Sequence, residues 1–185
     1  MNIFCVNAFN DDYFKTDKLT KFCLKEWEFM GIKYNIYDYN HPLVKEAKEK
    51  FKNYIKKCEE ERRYNCATDP IRLYLLSKLD GELLYLDTDV IIRKCFFEDK
   101  YSLHKNFKYP AHLGAGFAAL YSPNSSFKNS WGKIANLYLN EDKPTVDRKF
   151  IKTYGIDFYK IEKIMNHIPF FNNDFLELTQ KYINL

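Results

Sequence analysis

Short apolar runs alternate with amphipathic stretches through the first half of the chain. Ile3-Phe4-Cys5-Val6 is an apolar run that predicts a first strand, followed by the Asx-rich loop Asn7-Ala8-Phe9-Asn10-Asp11-Asp12. From Thr16 to Met30, Leu19, Phe22, Cys23, Trp27 and Met30 recur with a helical period, and Gly31 is placed to end that helix. Tyr34–Asp38 reads as a second strand. His41 to Glu61 is rich in Lys and Glu, with Leu43, Val44, Ala47, Phe51, Tyr54 and Ile55 at helical spacing; its charges read as a solvated face. Thr68 to Leu79 predicts a further helix, with Thr68 or Asp69 as N-cap and Pro70 in the first turn. Asp80-Gly81 ends it, and an apolar run from Leu83 to Ile92 follows. Strand, helix, strand, helix, strand in this order predicts an α/β fold with a mainly parallel central sheet flanked by helices.

The second half is less regular. His112 to Tyr121 reads as one Gly-led strand, where Gly114 and Gly116 permit a close backbone approach; it is not a GxGxxG fingerprint and opens no helix. Phe127 to Asn140 predicts a helix, Pro144 to Ile156 a helix or a loop, His167 to Asp174 a polar-ended turn and Phe175 to Ile183 a short helix. No repeat or linker interrupts the chain, so residues 1–185 read as a single domain.

One stretch carries chemistry. In Leu83-Leu84-Tyr85-Leu86-Asp87-Thr88-Asp89-Val90-Ile91-Ile92, two carboxylates one residue apart interrupt a run that otherwise reads as a strand buried on both faces. An ionised Asp is costly there unless a cation compensates it. The strand is expected to end at this point, with Asp87 and Asp89 at its C-terminal edge. Two hard oxygen ligands close together suit Mg²⁺ or Mn²⁺, ions that complete their shells with water and substrate phosphates. A solvated turn or a helix cap is the plainer reading of such a pair. Against it, no Gly, Pro or Asn marks a turn and the apolar run resumes at Val90. Asp69 and Arg72 stand about one helical turn apart and can share a face, as a local ion pair or as ligand contacts.

Composition narrows the partners. Hydrophobic residues make up 46% of the 185 and charged residues 29%, which excludes a disordered chain. The net charge of +4 is spread over scattered Lys and Arg, with no RNA-binding or zinc-finger signature, so nucleic acid is not an expected partner. That charge leaves an anionic ligand or peripheral contact with an anionic membrane open. No apolar run approaches the roughly 20 residues of a membrane span. The five Cys at 5, 23, 58, 66 and 95 show no CxxC spacing and read as free thiols of a cytoplasmic protein, with Cys5 and Cys23 in the core.

The stretch Ala67-Thr68-Asp69-Pro70-Ile71-Arg72, then Gly81, then Tyr85-Leu86-Asp87-Thr88-Asp89 resembles glycosyltransferases of the GT-A fold. It is closest to the DxD sugar transferases of family 32, relatives of capsular-polysaccharide enzymes and glucosylating toxins. Asp80-Gly81 followed by two further residues, with the wording Leu-Tyr-Leu-Asp-Thr-Asp-Val, is similar also to family 8, the glycogenin-like enzymes, whose C-terminal His-Gly-Lys-Pro-Trp type motif this chain lacks. The resemblance implies a GT-A hexosyltransferase that uses Mn²⁺ or Mg²⁺ and moves a sugar, with retention, from a nucleotide-diphosphate sugar to a glycan, lipid-linked or protein acceptor, as in polysaccharide biosynthesis. UDP is the implied nucleotide. By the same resemblance Asp89 binds the metal and Asp87 the donor ribose or a metal-bound water. Asp69, Arg72, Tyr85 and Thr88 line the donor site, Asn7, Ala8 and Phe9 meet the base, and Gly114 and Gly116 flank the donor sugar. His167, Asn172 and Asn173 are the implied candidates for a third metal ligand or a contact to the leaving phosphate.

Two other readings stay open. Asp87-Thr88-Asp89-Val90 also fits the nucleophile motif of haloacid-dehalogenase-like, Mg²⁺-dependent phosphatases, with Asp87 as nucleophile and Asp89 as acid/base. A catalytically inactive sugar-binding module is the non-enzymatic alternative.

Overall fold

The computed structural model describes residues 1–9, 18–92, 111–113, 119–145, 157–159 and 165–167. The first strand, β1, spans Asn2–Asn7, and helix α1 spans Lys18–Phe29. Thr20, Cys23, Leu24 and Trp27 form the buried stripe of α1, two turns of one face. Gly31 follows at φ 72°, with its N–H bonded to the Glu28 carbonyl and that of Ile32 to Trp27, so the expected glycine stop is observed. Strand β2 covers Tyr34–Asp38.

The charged stretch forms two helices, α2 (Pro42–Lys50) and α3 (Lys52–Glu60), rather than the single helix its periodicity predicts. They meet at Phe51, whose backbone departs to φ −103°, ψ 18° while its ring is buried. Helix α4 spans Tyr64–Lys78, which corrects the predicted start. Neither Thr68 nor Asp69 is a cap, and Pro70 lies inside the helix. Pro70 forfeits one helical hydrogen bond there. From Cys66 to Leu76 all but one residue of α4 is buried, and packing of that kind outweighs local propensity.

β3 (Leu83–Leu86) ends one residue before Asp87, as expected. The apolar run then resumes as β4 (Val90–Ile92). The expected Gly-led strand is two strands, β5 (Ala111–Leu113) and β6 (Ala119–Ser122), paired antiparallel with Leu113 opposite Ala119. An unbroken apolar run does not reveal a reversal, and residues 114–118 between them lie outside the described residues. Helix α5 (Lys128–Asn136) sits between 3₁₀ turns at Ser125–Phe127 and Leu137–Asn140. Two short strands follow, β7 (Asp157–Tyr159) and β8 (Met165–His167), so His167 ends a strand where a turn was expected.

The larger sheet has the order β2-β1-β3-β6-β5-β7. β2, β1 and β3 are mutually parallel, β6 is antiparallel to both β3 and β5, and β7 is parallel to β5. Five strands therefore point one way and β6 alone opposes them: a mixed α/β sheet, parallel in the main. β4 and β8 form a separate antiparallel pair. Phe4, Val6, Leu83, Tyr85 and Leu120 face one core with residues of α2 to α5, including Phe51, Leu73 and Trp131. Ile3, Cys5, Leu84 and Leu86, on the other face, are buried too. Burial on both faces is why these strands read as continuous apolar runs. No described helix is long and apolar enough to cross a membrane.

Candidate functional site

From β1 the chain goes outward to β2, then returns past β1 to form β3 on its other side. The strand order thus reverses between β1 and β3. In open α/β sheets ligands bind outside the carboxyl ends of the strands at such a point. Asn7, at the end of β1, and Asp87, just after β3, both lie at that carboxyl edge.

Helix α4 brings two charges to the same place. Asp69 and Arg72 are one turn apart, and Arg72 Nη2 is 2.6 Å from Asp69 Oδ1. Arg72 Nη1 reaches 3.1 Å to Asp87 Oδ1, so one guanidinium bridges two carboxylates, as its planar fork allows. Both Asp69 and Arg72 are nearly inaccessible, each with 6% of its side chain exposed, whereas Asp87 keeps 22%. Tyr85 O–H donates to the same Asp87 oxygen at 2.5 Å, and the guanidinium stands 5.2 Å from the Tyr85 ring centre. Burial, followed by the charge of Asp87, holds the Tyr85 phenol well above its usual range, so it remains a donor at any physiological pH. The Cys5 thiol is raised in the same way, by burial first and Asp87 second.

Asp89, two residues on, is also buried. Three carboxylates against one guanidinium make these four side chains a net acidic group in a chain of net charge +4. Among the described residues no group of three or more His, Cys, Asp and Glu gathers as a metal site. Mg²⁺ and Mn²⁺ do not demand one, because one or two carboxylates with water and substrate phosphates satisfy them. The hard-oxygen donors Asp87 and Asp89 fit such an ion.

The segment after β1 is held from α2. Lys48 Nζ donates to the Ala8 carbonyl at 3.2 Å and lies 4.7 Å from the Phe9 ring centre. Asn7 and Ala8 are buried and Phe9 is half-buried, with Tyr64 tilted against it at 6.4 Å.

The structure thus brings Asp69, Arg72, Tyr85 and Asp87 into one bonded cluster. Thr88 and Asp89 follow in the turn, and Asn7, Ala8 and Phe9 lie along the same sheet edge. Backbone pairing sets His167 opposite Val90, the residue after Asp89; its side chain lies outside the described residues. Gly114, Gly116, Asn172 and Asn173 lie outside them altogether. Sequence reasoning missed Lys48, Tyr64, Thr20 and Trp27 as neighbours of this edge. Their helical spacing reads as core or solvated face, and no local pattern marks a contact made across 40 or more residues.

No known protein-family profile matches the chain, and no curated protein is significantly similar to it. Among solved structures, one described as the "crystal structure of a glycosyltransferase involved in the glycosylation of the major capsid of PBCV-1" is similar with a TM-score of 0.45 at 11% identity, over 91% of this chain and 94% of that one. So distant a likeness does not assign a function.

Proposed function

We propose that this protein is a divalent-metal-dependent glycosyltransferase of the GT-A type. It would move a hexose from a UDP-sugar to a hydroxyl of a glycan, a lipid-linked sugar or a protein, with retention of configuration. One observation carries the reading: the buried bridge Asp69–Arg72–Asp87, with Tyr85 on the same oxygen, at the carboxyl edge where the strand order reverses.

A nucleotide-sugar donor presents a ribose, a diphosphate and a sugar rich in hydroxyls. Asp87, oriented by Arg72 and Tyr85, accepts a donor hydroxyl. Asp89 and Asp87 supply carboxylate ligands for Mn²⁺ or Mg²⁺, with His167 or Asn172 as candidates for a third. Bound there, the cation supplies Lewis-acid neutralisation of the diphosphate leaving group. Asp69 and Arg72 meet the nucleotide or the sugar of the donor, Thr88 and the Gly114 and Gly116 segment flank the sugar, and Asn7, Ala8 and Phe9 receive the base. The transition state has oxocarbenium character, which a nearby acidic group favours. Retention without a protein nucleophile would take the front-face route: the acceptor hydroxyl attacks from the side on which the diphosphate leaves.

The phosphatase alternative asks Asp87 to be a nucleophile. One of its oxygens, Oδ1, is already held by a guanidinium and a phenol, which lowers the nucleophilicity of the carboxylate. The inactive binding module has no use for the metal-ligand pair.

The test is a thermal-shift screen of UDP-, GDP-, CDP- and dTDP-sugars with Mn²⁺, Mg²⁺ or EDTA. Ligands that bind only the folded state raise its melting temperature by mass action. Stabilisation by UDP-sugars that needs the cation and is lost in Asp89→Asn supports the proposal. Indifference to every donor, with turnover of a phosphomonoester, sinks it in favour of the phosphatase.

A further inference from the structure

Asp87 is fixed by Arg72 of α4 and by Tyr85. The turn leaves the large sheet after Leu86 and enters the small one at Val90. Helix α1 meets the two residues that flank Asp89. Trp27 Nε1 donates to the Val90 carbonyl at 2.9 Å, across 63 residues of sequence. The hydroxyls of Thr20 and Thr88 stand 3.4 Å apart, a longer and weaker contact. Thr20 and Trp27 lie seven positions apart on one face of α1, so a single buried stripe runs along the turn on both sides of Asp89.

Trp27 is itself well anchored. It is fully buried, and its ring meets Tyr34 of β2 edge-on at 5.4 Å and 83°. Tyr34 in turn donates to Glu28 at 3.0 Å, tying α1 to β2. A buried indole N–H must find an acceptor. Here the acceptor is the backbone carbonyl immediately after a proposed metal ligand.

We propose that α1 is the positioning brace of Asp89, with the Trp27 indole N–H as its principal contact. The Asp-Thr-Asp turn is then referenced at two points: Asp87 to α4, and Asp89, through its neighbours, to α1 and β2. Trp27 is a positioning residue and touches no substrate. This inference rests on the reading of Asp89 as a metal ligand, but the brace itself is testable without it.

Two variants remove the N–H. Trp27→Phe is the simple one. Site-specific 3-benzothienylalanine at position 27 keeps the bicyclic shape and lacks only the donor, so it decides the matter if Trp27→Phe fails to fold. The first readout is hydrogen exchange of residues 88–90 in ligand-free protein, which is expected to become faster. Unchanged exchange overturns the brace, whatever the protein binds. The second readout is the Kd for a UDP-sugar, with Mn²⁺ and with EDTA. The expected result is a rise of about tenfold or more in Mn²⁺, the scale on which groups behind metal ligands act, and no change in the weaker binding left in EDTA. Equal weakening in both media, or none in either, contradicts a positioning role toward Asp89. Failure of the unmodified protein to bind any nucleotide sugar counts against the proposed function instead, and the exchange result still judges the brace.

Discussion

Arg72 pairs with two carboxylates, the nearly inaccessible Asp69 and the partly exposed Asp87, so its loss removes a cationic partner from each. Breaking a buried pair by removing one partner typically costs about 3–5 kcal/mol. Arg72→Met is expected to lose stability on that scale in urea unfolding. Arg72→Lys should recover only part of it, because an ammonium cannot present the planar fork. The Asp69 and Arg72 partnership is legible in the sequence, since their spacing alone puts them on one helical face. Tyr85 and Asp87 join them in the sequence only through the family resemblance; spacing does not show it, because the bond from Arg72 spans two elements. A second expectation concerns alkali. Burial pushes the Cys58 thiol up to about 11, partly opposed by its hydrogen bond with Tyr54. An unfolded thiol titrates near about 8.5. The stability tied to keeping Cys58 neutral is therefore present below that value and lost as pH rises through the folded one. Unfolding free energies measured from pH 8 to 11.5 should fall, and Cys58→Ala should flatten the decline.

Two glycines make opposite predictions for the elements they sit in. At Gly31, φ is 72° and a Cβ meets nothing within 4 Å among the described residues, so the cost of a side chain there is conformational. Gly31→Ala is expected to destabilise by about 1 kcal/mol. Gly132, inside α5, would place a Cβ 3.5 Å from that of Ser77 in α4, an ordinary contact. Gly132→Ala is expected to gain about 0.5–1 kcal/mol from helix propensity. Thermal unfolding of the two variants checks the pair of signs. β1, α1, β2 and β3 follow from local pattern because each is bounded by its own signal: an Asx loop, a glycine, a charged helix, an acidic pair. The start of α4 does not. Thr68-Asp69-Pro70 carries every mark of a helix entrance, yet four residues before it are already helical and the segment is buried against the sheet. Separate strands β5 and β6 are hidden in one apolar run because hydrophobicity says nothing about chain direction.

Across the molecule, five of six strands of the large sheet deliver their carboxyl ends to one edge, and the chain's acidic cluster stands there. The position of Asp87 and Asp89 at a strand end was legible, because nothing structural explains two charges in that run. That α1 reaches over to the same turn was not, since it depends on how the sheet is wound. If, as proposed, this edge activates a nucleotide sugar with the help of a cation, sugar and nucleotide should part there even without an acceptor. The most direct measurement is release of UDP from UDP-hexoses in the absence of acceptor, followed with Mn²⁺, with EDTA and in Asp89→Asn. Transfer to water is expected in Mn²⁺ for at least one hexose, falling to background in EDTA and in the variant. Release that ignores the cation and survives Asp89→Asn, or phosphomonoester hydrolysis with no UDP released, would rule out cation-assisted glycosyl transfer at this edge.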